Sequence, residues 1–174
     1  MKRVLMSLVA LGCIAASTAS AQHIKVSVGA GGIVPSGDYS TLDNAGWHVL
    51  GAVEVGLPMT CLGVRVDGMY SQTTHAENFL SGSTTLSGGS ADLVYRIGAP
   101  AVPVKFYVLG GVGYYNVDLD VGSESDVGYN AGAGLSFGLA GLNLFAEARY
   151  VGVMTSGTSD LTFFPVTLGM AFGF

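Results

Sequence analysis

Charged side chains recur at alternate positions in several short segments, and this spacing places them on one face of a β-strand. Arg65 and Asp67 are two residues apart, as are Glu147 and Arg149. If each segment is a strand, four acids and four bases gather on one side of a sheet. The predicted set is Glu54, Arg65, Asp67, Asp92, Arg96, Lys105, Glu147 and Arg149. Such a set could neutralise itself as buried ion pairs, or it could form a narrow ion path gated by breakable pairs.

Other reactive residue types lack the surroundings that catalysis or metal binding requires. The stretch "GLSFG" at 134–138 matches the G-x-S-x-G pattern of a nucleophile elbow. That motif needs a strand-to-helix turn, whereas Ser136 falls in an alternating segment. His23, His48 and His75 are scattered and do not have the spacing of metal ligands. We therefore predict no catalytic residue, no metal and no cofactor.

The eight remaining acids lie in turn-rich stretches with no Lys or Arg beside them. They are Asp38, Asp43, Glu77, Asp118, Asp120, Glu124, Asp126 and Asp160. The densest run, "DLDVGSESD" at 118–126, lacks the residue order of a calcium-binding loop. We expect these acids in long connections between strands. There they either keep the loops solvated or capture divalent cations or a basic partner.

The beginning of the chain has the order of a secretory signal. A positive start is followed by an apolar stretch, and Ala19 and Ala21 form a small-x-small cleavage site. We predict that residues 1–21 are removed and that residues 22–174 are the mature domain. Lipid attachment at Cys13 is the alternative, but the residues before it fit a lipoprotein signal poorly. Only Cys61 then remains, so the domain folds without an internal disulfide.

The composition excludes some classes of protein. Charged residues make up 11% of the chain, well below the roughly 25% that is usual for soluble domains. After removal of the predicted signal, five basic residues remain beside 12 acidic ones. Nucleic-acid binding needs basic stripes, so we expect no nucleic-acid partner.

The apolar residues follow a period of two rather than the period of a helix. A helical span at 127–146 is uncharged but contains five glycines, each costing about 1 kcal/mol relative to alanine. The alternation predicts eight strands of the length that a tilted membrane strand needs. They lie at 23–33, 47–57, 62–72, 86–97, 104–117, 127–138, 142–153 and 163–174. Pro35 is expected in a connection and Pro165 at the start of the last strand.

The last predicted strand is apolar along one whole side. Its large residues are Val166, Leu168, Met170, Phe172 and Phe174, and small or weakly polar residues alternate with them. The charged faces of the other strands are too sparse to cover the outside of a soluble barrel. We therefore predict an all-β fold, an eight-stranded antiparallel up-and-down transmembrane β-barrel with lipid outside and a polar lumen inside.

At this level the chain resembles the small eight-stranded outer-membrane β-barrels, such as OmpX and the transmembrane domain of OmpA. The stretches that carry the resemblance are "FYVLGGVGYYNV" at 106–117 and "VTLGMAFGF" at 166–174. The resemblance implies a monomer in the outer membrane of a Gram-negative-type bacterium, with both termini periplasmic. It also implies contact with lipids and lipopolysaccharide, and a C-terminal signal read by periplasmic chaperones and the assembly machinery. A peptidoglycan-binding domain such as that of OmpA is not expected.

Three functions are compatible with these patterns. The first is a structural or surface-binding barrel whose lumen is closed by ion pairs and whose extracellular loops are acidic. The second is a narrow passive channel for ions or small solutes. The third and most distant is a lipid-modifying enzyme, for which a serine would need a nearby histidine.

Overall fold

The computed structural model describes residues 24–36, 44–58, 60–74, 83–98, 104–119, 122–139, 142–154 and 161–173. These residues form eight strands joined by turns and connections. The strands are β1 Ile24–Ser36, β2 Gly46–Gly56, β3 Leu62–Thr74, β4 Ser83–Ile97, β5 Val104–Leu119, β6 Gly122–Leu139, β7 Leu142–Val153 and β8 Leu161–Gly173. No helix in this part of the chain is long and apolar enough to cross a membrane.

Each strand pairs antiparallel with its neighbours in the sequence, and β1 closes the sheet by pairing with β8. The closing ladder runs from Lys25 opposite Gly173 to Ser36 opposite Thr162. Closure leaves no open sheet edge along the paired lengths, so backbone donors and acceptors are satisfied within the wall. The predicted fold, an eight-stranded antiparallel up-and-down barrel, is confirmed.

The two ends of the barrel differ in their connections. We call the end where β1 begins and β8 finishes the terminal end, and the other the loop end. At the terminal end, β2 and β3 are joined by a tight turn in which the Leu57 amide donates to the Leu62 carbonyl at 2.9 Å. At the loop end, β1 and β3 finish and β2 and β4 begin. Successive connections lie at opposite ends of the barrel because the strands run alternately up and down.

Two prolines lie inside strands, contrary to the sequence prediction. Pro35 is in β1 opposite Phe163, and Pro165 is well inside β8 opposite Ile33. The β7–β8 ladder is interrupted beside Pro165: it stops at Ala148–Val166 and resumes at Val151–Phe163. Proline has no N–H to donate, so the gap falls on the side of β8 where that donor would be needed.

The β5–β6 hairpin is longer than the sequence predicted, and this corrects the position of three acids. Asp118, Glu124 and Asp126 lie in strands rather than in a loop, opposite Ser123, Val117 and Tyr115 respectively. Only residues 120–121 separate the two strands. The "VDLDVGSESD" stretch pairs with itself as a hairpin extension because its two halves alternate regularly about a short turn.

Side chains sort by parity into an apolar outside and a mostly polar middle of the lumen. The outward residues include Leu168, Val112 and Leu93, which remain 65%, 62% and 60% exposed. Inward residues include Asp92 and Glu147, each 2% exposed. A soluble barrel would show the reverse arrangement, so the outer surface is suited to lipid.

Aromatic residues mark both borders of this apolar surface. Three strands each carry an outward pair eight residues apart: Phe106 and Tyr114 in β5, Tyr129 and Phe137 in β6, Phe164 and Phe172 in β8. Eight residues span about 26 Å along a strand at about 3.3 Å per residue. Neighbouring rings contact one another at the loop-end border, where Tyr150 and Phe164 have centroids 5.1 Å apart. The two borders have the positions of interfacial aromatic girdles.

The loop half of the lumen is filled by an apolar cluster. Its buried members are Ile33, Met69, Leu86, Tyr115, Val117, Val151, Val153 and Phe163. The Tyr115 and Phe163 rings meet edge to face with centroids 6.2 Å apart. Glycine makes room for the larger ring, because a Cβ on Gly113 would lie 2.7 Å from Tyr115 Cε2. The interior of the barrel is therefore filled with side chains in its loop half.

Candidate functional site

Arg149 lies at the centre of a buried charge cluster in the middle of the lumen. Its Nε donates to Glu147 Oε1 at 2.6 Å, and its Nη2 donates to Asp67 Oδ2 at 2.8 Å. Its Nη1 lies 3.4 Å from Asp92 Oδ2. These contacts join β7 to β3 and β4 across the interior. We call Arg65, Asp67, Asp92, Glu147 and Arg149 the lumen network.

Arg65 ties the same carboxylates together from β3. Its Nη1 donates to Glu147 Oε2 at 2.7 Å, and its Nε lies 3.4 Å from Asp67 Oδ2. Arg65 is 4% exposed and Arg149 5% exposed. Two guanidinium groups thus bridge three carboxylates, and both partners of each pair are withdrawn from water. Such burial is tolerated only when charges are paired and hydrogen-bonded.

Neutral side chains complete the hydrogen bonding of the three carboxylates. Tyr107 donates its hydroxyl to Glu147 Oε2 at 2.7 Å. Asn130 donates to Asp92 Oδ1 at 2.8 Å. The Ser90 hydroxyl lies 3.0 Å from Asp67 and 3.1 Å from Asp92. These donors compensate for the excess of one carboxylate over the two arginines, since each supplies a dipole to a buried anion.

Three of the eight predicted lumen charges lie outside this network. Glu54 and Arg96 form a separate ion pair nearer the terminal end. Lys105 is exposed, and within the described part of the chain it forms no ion pair. Lys25 was not among the predicted lumen charges, but it is half-buried on the inward face of β1. The lumen charges are thus divided between a central cluster and a basic rim.

Two small cavities flank the lumen network. One of about 40 Å³ lies toward the terminal end and is lined in part by Lys25, Glu54 and Arg96. The other, of about 10 Å³, lies between the network and the apolar cluster and is lined by Tyr115 and Val151 among others. Eight strands enclose only enough space for side chains, and here those side chains separate the two cavities.

His48 was considered from the sequence only as a metal ligand, and not as a buried residue of the lumen. It is fully buried in β2, and its Nε2 lies 2.8 Å from the Thr167 hydroxyl of β8. The parity that placed Glu54 inside also places His48 inside, since both are even positions of the same strand. Its hydrogen-bond partner, Thr167, lies in β8 and is 119 residues away in the sequence. No local sequence pattern could have predicted this contact.

The residues considered for catalysis do not form a site in the described residues. Ser136 lies in the interior of β6 opposite Lys105 and Phe145, with no strand-to-helix turn. No group of three or more His, Cys, Asp or Glu residues in these segments is arranged to hold a metal ion. His23 and His75 lie outside the described residues.

Several predicted residues fall outside the described part of the chain. They are the cleavage-site residues Ala19 and Ala21, the acids Asp38, Asp43, Glu77, Asp120 and Asp160, and the terminal Phe174. The rest of the predicted C-terminal signal points outward from β8: Val166, Leu168, Met170 and Phe172 are 49%, 65%, 42% and 43% exposed. Asp118 at the loop end is exposed and Asp126 is half-buried.

A closed eight-stranded barrel with an apolar exterior and buried ion pairs defines the class of small outer-membrane barrels. Residues 5–174 match the model of the outer membrane protein β-barrel domain, and the chain belongs to that family. It is a protein of the Gram-negative outer membrane. A search of curated protein sequences finds no match.

Solved structures with the same fold have distant sequences. Neisserial surface protein A is 17% identical, with a TM-score of 0.64 over 88% of this chain and 97% of that one. The attachment invasion locus protein Ail of Yersinia pestis is 22% identical, with a TM-score of 0.57 over 88% and 99%. The outer membrane enzyme PagL is 16% identical, with a TM-score of 0.52 over 85% and 98%. At such low sequence identities, the similarity of these structures to this chain shows a shared fold alone.

Proposed function

We propose that the protein is a structural component of the outer membrane with a closed lumen and a surface role at its loop end. The observation that carries the proposal is the contact of the Arg149 guanidinium with Asp67, Asp92 and Glu147 across the barrel. An ion passing through would have to separate these groups. Breaking one partner out of a buried pair costs about 3–5 kcal/mol, so the resting lumen favours closure.

The apolar cluster supports the same proposal independently. Beyond the network, an ion would meet buried Phe163, Ile33 and Val153, which are 0%, 1% and 0% exposed. These side chains offer no replacement for a hydration shell, and apolar constrictions oppose conduction. A narrow passive channel is the alternative function. It would require the lumen network and the apolar cluster to move aside together.

Conductance in planar bilayers separates the two functions. We expect protein purified from outer membranes to give no discrete current steps, and we expect Arg96→Ala to stay silent because it disrupts only the Glu54–Arg96 pair. Glu147→Ala is the informative variant, since it removes an acid that accepts hydrogen bonds from both arginines of the network. Current steps in the unaltered protein that change with Glu147→Ala would establish the channel instead.

The β5–β6 hairpin is our candidate for the surface role. Its ladder continues to Leu119 opposite Gly122, whereas the β6–β7 ladder begins only at Gly128 opposite Val153. The hairpin therefore extends beyond β7, and it carries Asp118 and Asp126. We propose that divalent cations bridge these acids and those of the other loop-end connections to anionic lipopolysaccharide.

Lipopolysaccharide binding tests that surface role. If cations act as bridges, binding of lipopolysaccharide by the detergent-solubilised protein requires Mg²⁺ and weakens severalfold in the variant Asp118→Asn with Asp126→Asn. Lys105→Gln, which changes one charge at the opposite end, serves as the control. Equal binding in excess chelator would rule out the bridge. Loss of a lipid A modification on gene deletion would instead support the enzyme alternative, for which the likeness to PagL supplies the fold alone.

A further inference from the structure

The cavity at the terminal end has the lining of an anion site. We call it the vestibule; its volume is about 40 Å³. Lys25, Arg65 and Arg96 line it from β1, β3 and β4, and Glu54 is the one acidic side chain in the lining. Arg96 is 24% exposed in its side chain, so the vestibule communicates with solvent at this end. Three cations therefore face one acid around a space that solutes can reach.

The charges of the vestibule are not balanced by its own residues. Glu54 is engaged by Arg96, and Glu147 holds Nη1 of Arg65 from the network side. Lys25 forms no ion pair with the residues that the structure describes. Exposed Lys105 lies on the same rim and adds to the positive potential. The local field therefore favours a negative ion over a cation or a neutral solute.

Arg65 adds to the vestibule wall a buried positive charge whose hydrogen bonding is incomplete. It is 4% exposed, yet its Nη2 has no hydrogen-bond partner among the described residues. A buried charged donor without a hydrogen-bond partner is unfavourable. Since Arg65 also lines the vestibule, its guanidinium charge adds to the attraction for an anion there.

The dimensions and the neutral lining limit the ligand to a small ion. A water molecule needs at least about 10–15 Å³ by the same measure, so the vestibule holds roughly three such positions. Ser27 and Asn143 line it and add neutral hydrogen-bonding groups. We propose that the vestibule binds a small monovalent anion, a halide or a short carboxylate, between Lys25, Arg65 and Arg96. The site would lie below the closed network and would not require conduction.

Chloride is the first probe, and chloride-35 NMR line broadening of the detergent-solubilised protein is the measurement. Lys25→Gln is the test variant, because Lys25 is half-buried, has no ion pair to break and should fold normally. Lys105→Gln is the matched control, since it removes the same charge from an exposed position on the same rim. We expect Lys25→Gln to weaken chloride binding at least tenfold and Lys105→Gln to change it less than twofold.

Competition distinguishes the two kinds of anion. Formate should displace chloride if a carboxylate fits, and gluconate at equal ionic strength should not, because it exceeds the vestibule. Displacement by formate would mean that the site accepts short carboxylates, and its absence would restrict the ligand to halides. Absence of broadening in the unaltered protein, equal broadening in both variants, or equal displacement by gluconate would each overturn the proposal.

Discussion

Arg149 holds its position in the lumen because a guanidinium presents several N–H donors in one plane. It uses Nε, Nη1 and Nη2 toward three different carboxylates. A lysine would place a single compact charge at the end of a flexible stem and could not reach all three at once. The residue type therefore follows from the number of acids that converge on it.

Removal of this guanidinium should destabilise the barrel strongly. Arg149→Met leaves Asp67, Asp92 and Glu147 with Arg65 as their remaining cation in the network, and we expect a loss of about 3–5 kcal/mol in the free energy of unfolding. Arg149→Lys should recover only part of the loss. Urea unfolding in detergent, followed by Trp47 fluorescence, gives the values. A cost for Arg149→Met no larger than that of Lys105→Met would contradict this account.

Single residues could be assigned to a face of the barrel from the sequence, but not to their partners. Parity alone places Arg65, Asp67 and Arg149 in the lumen. The contact of Arg149 with Asp67 joins residues 82 apart, and it depends on how the strands are staggered around the barrel. The Ser90, Tyr107 and Asn130 donors depend on the same stagger. Local alternation carries no information about that quantity.

At the scale of the strand, the aromatic pairs set the depth of every outward residue. In β8, Leu168 lies midway between Phe164 and Phe172, and it is 65% exposed. Val34 of β1 is paired with Phe164 and therefore lies at the loop-end border. The same substitution at these two sites samples the centre and the edge of the apolar band.

A charge at the centre of the band should cost more than a charge at its edge. We expect Leu168→Arg to lower the free energy of unfolding by about 2–4 kcal/mol and Val34→Arg by about 0–1 kcal/mol. Unfolding titrations in lipid vesicles, after refolding from urea, measure both without involving cellular assembly. Equal costs at the two positions would show that the aromatic borders do not mark the membrane interfaces.

Strand number and strand faces were predictable from period two, whereas some strand ends were not. Pro165 was expected to start β8, but the strand continues before it because β1 pairs with that segment on the other side. Asp118 and Asp126 were expected in a loop because acids usually lie in solvated connections. The β5–β6 ladder instead continues to Leu119 opposite Gly122. At the start of β8 and in the β5–β6 hairpin, pairing with the neighbouring strand thus determined the strand ends more than local residue propensity did.

At the scale of the whole molecule, the closed sheet should stay folded in dodecyl sulfate until it is heated. We expect unheated protein to migrate differently from boiled protein on a dodecyl sulfate gel, because the folded barrel is compact and binds less detergent. Variants that keep the fold, such as Lys105→Gln, should retain the difference. Identical migration before and after boiling, for protein purified from outer membranes, would count against a closed barrel.

The pairing of β1 with β8 has a consequence for the order of folding. Every other strand pair joins neighbours in the sequence, but Ile33 meets Pro165 only after the intervening chain is in place. Contacts of such long separation form late, because chain entropy opposes them until local pairing is complete. Arg149 and Asp67 meet only when the sheet curls. We therefore expect dehydration of the lumen charges to accompany closure of the seam, with the charged face hydrated until the last strand pairs.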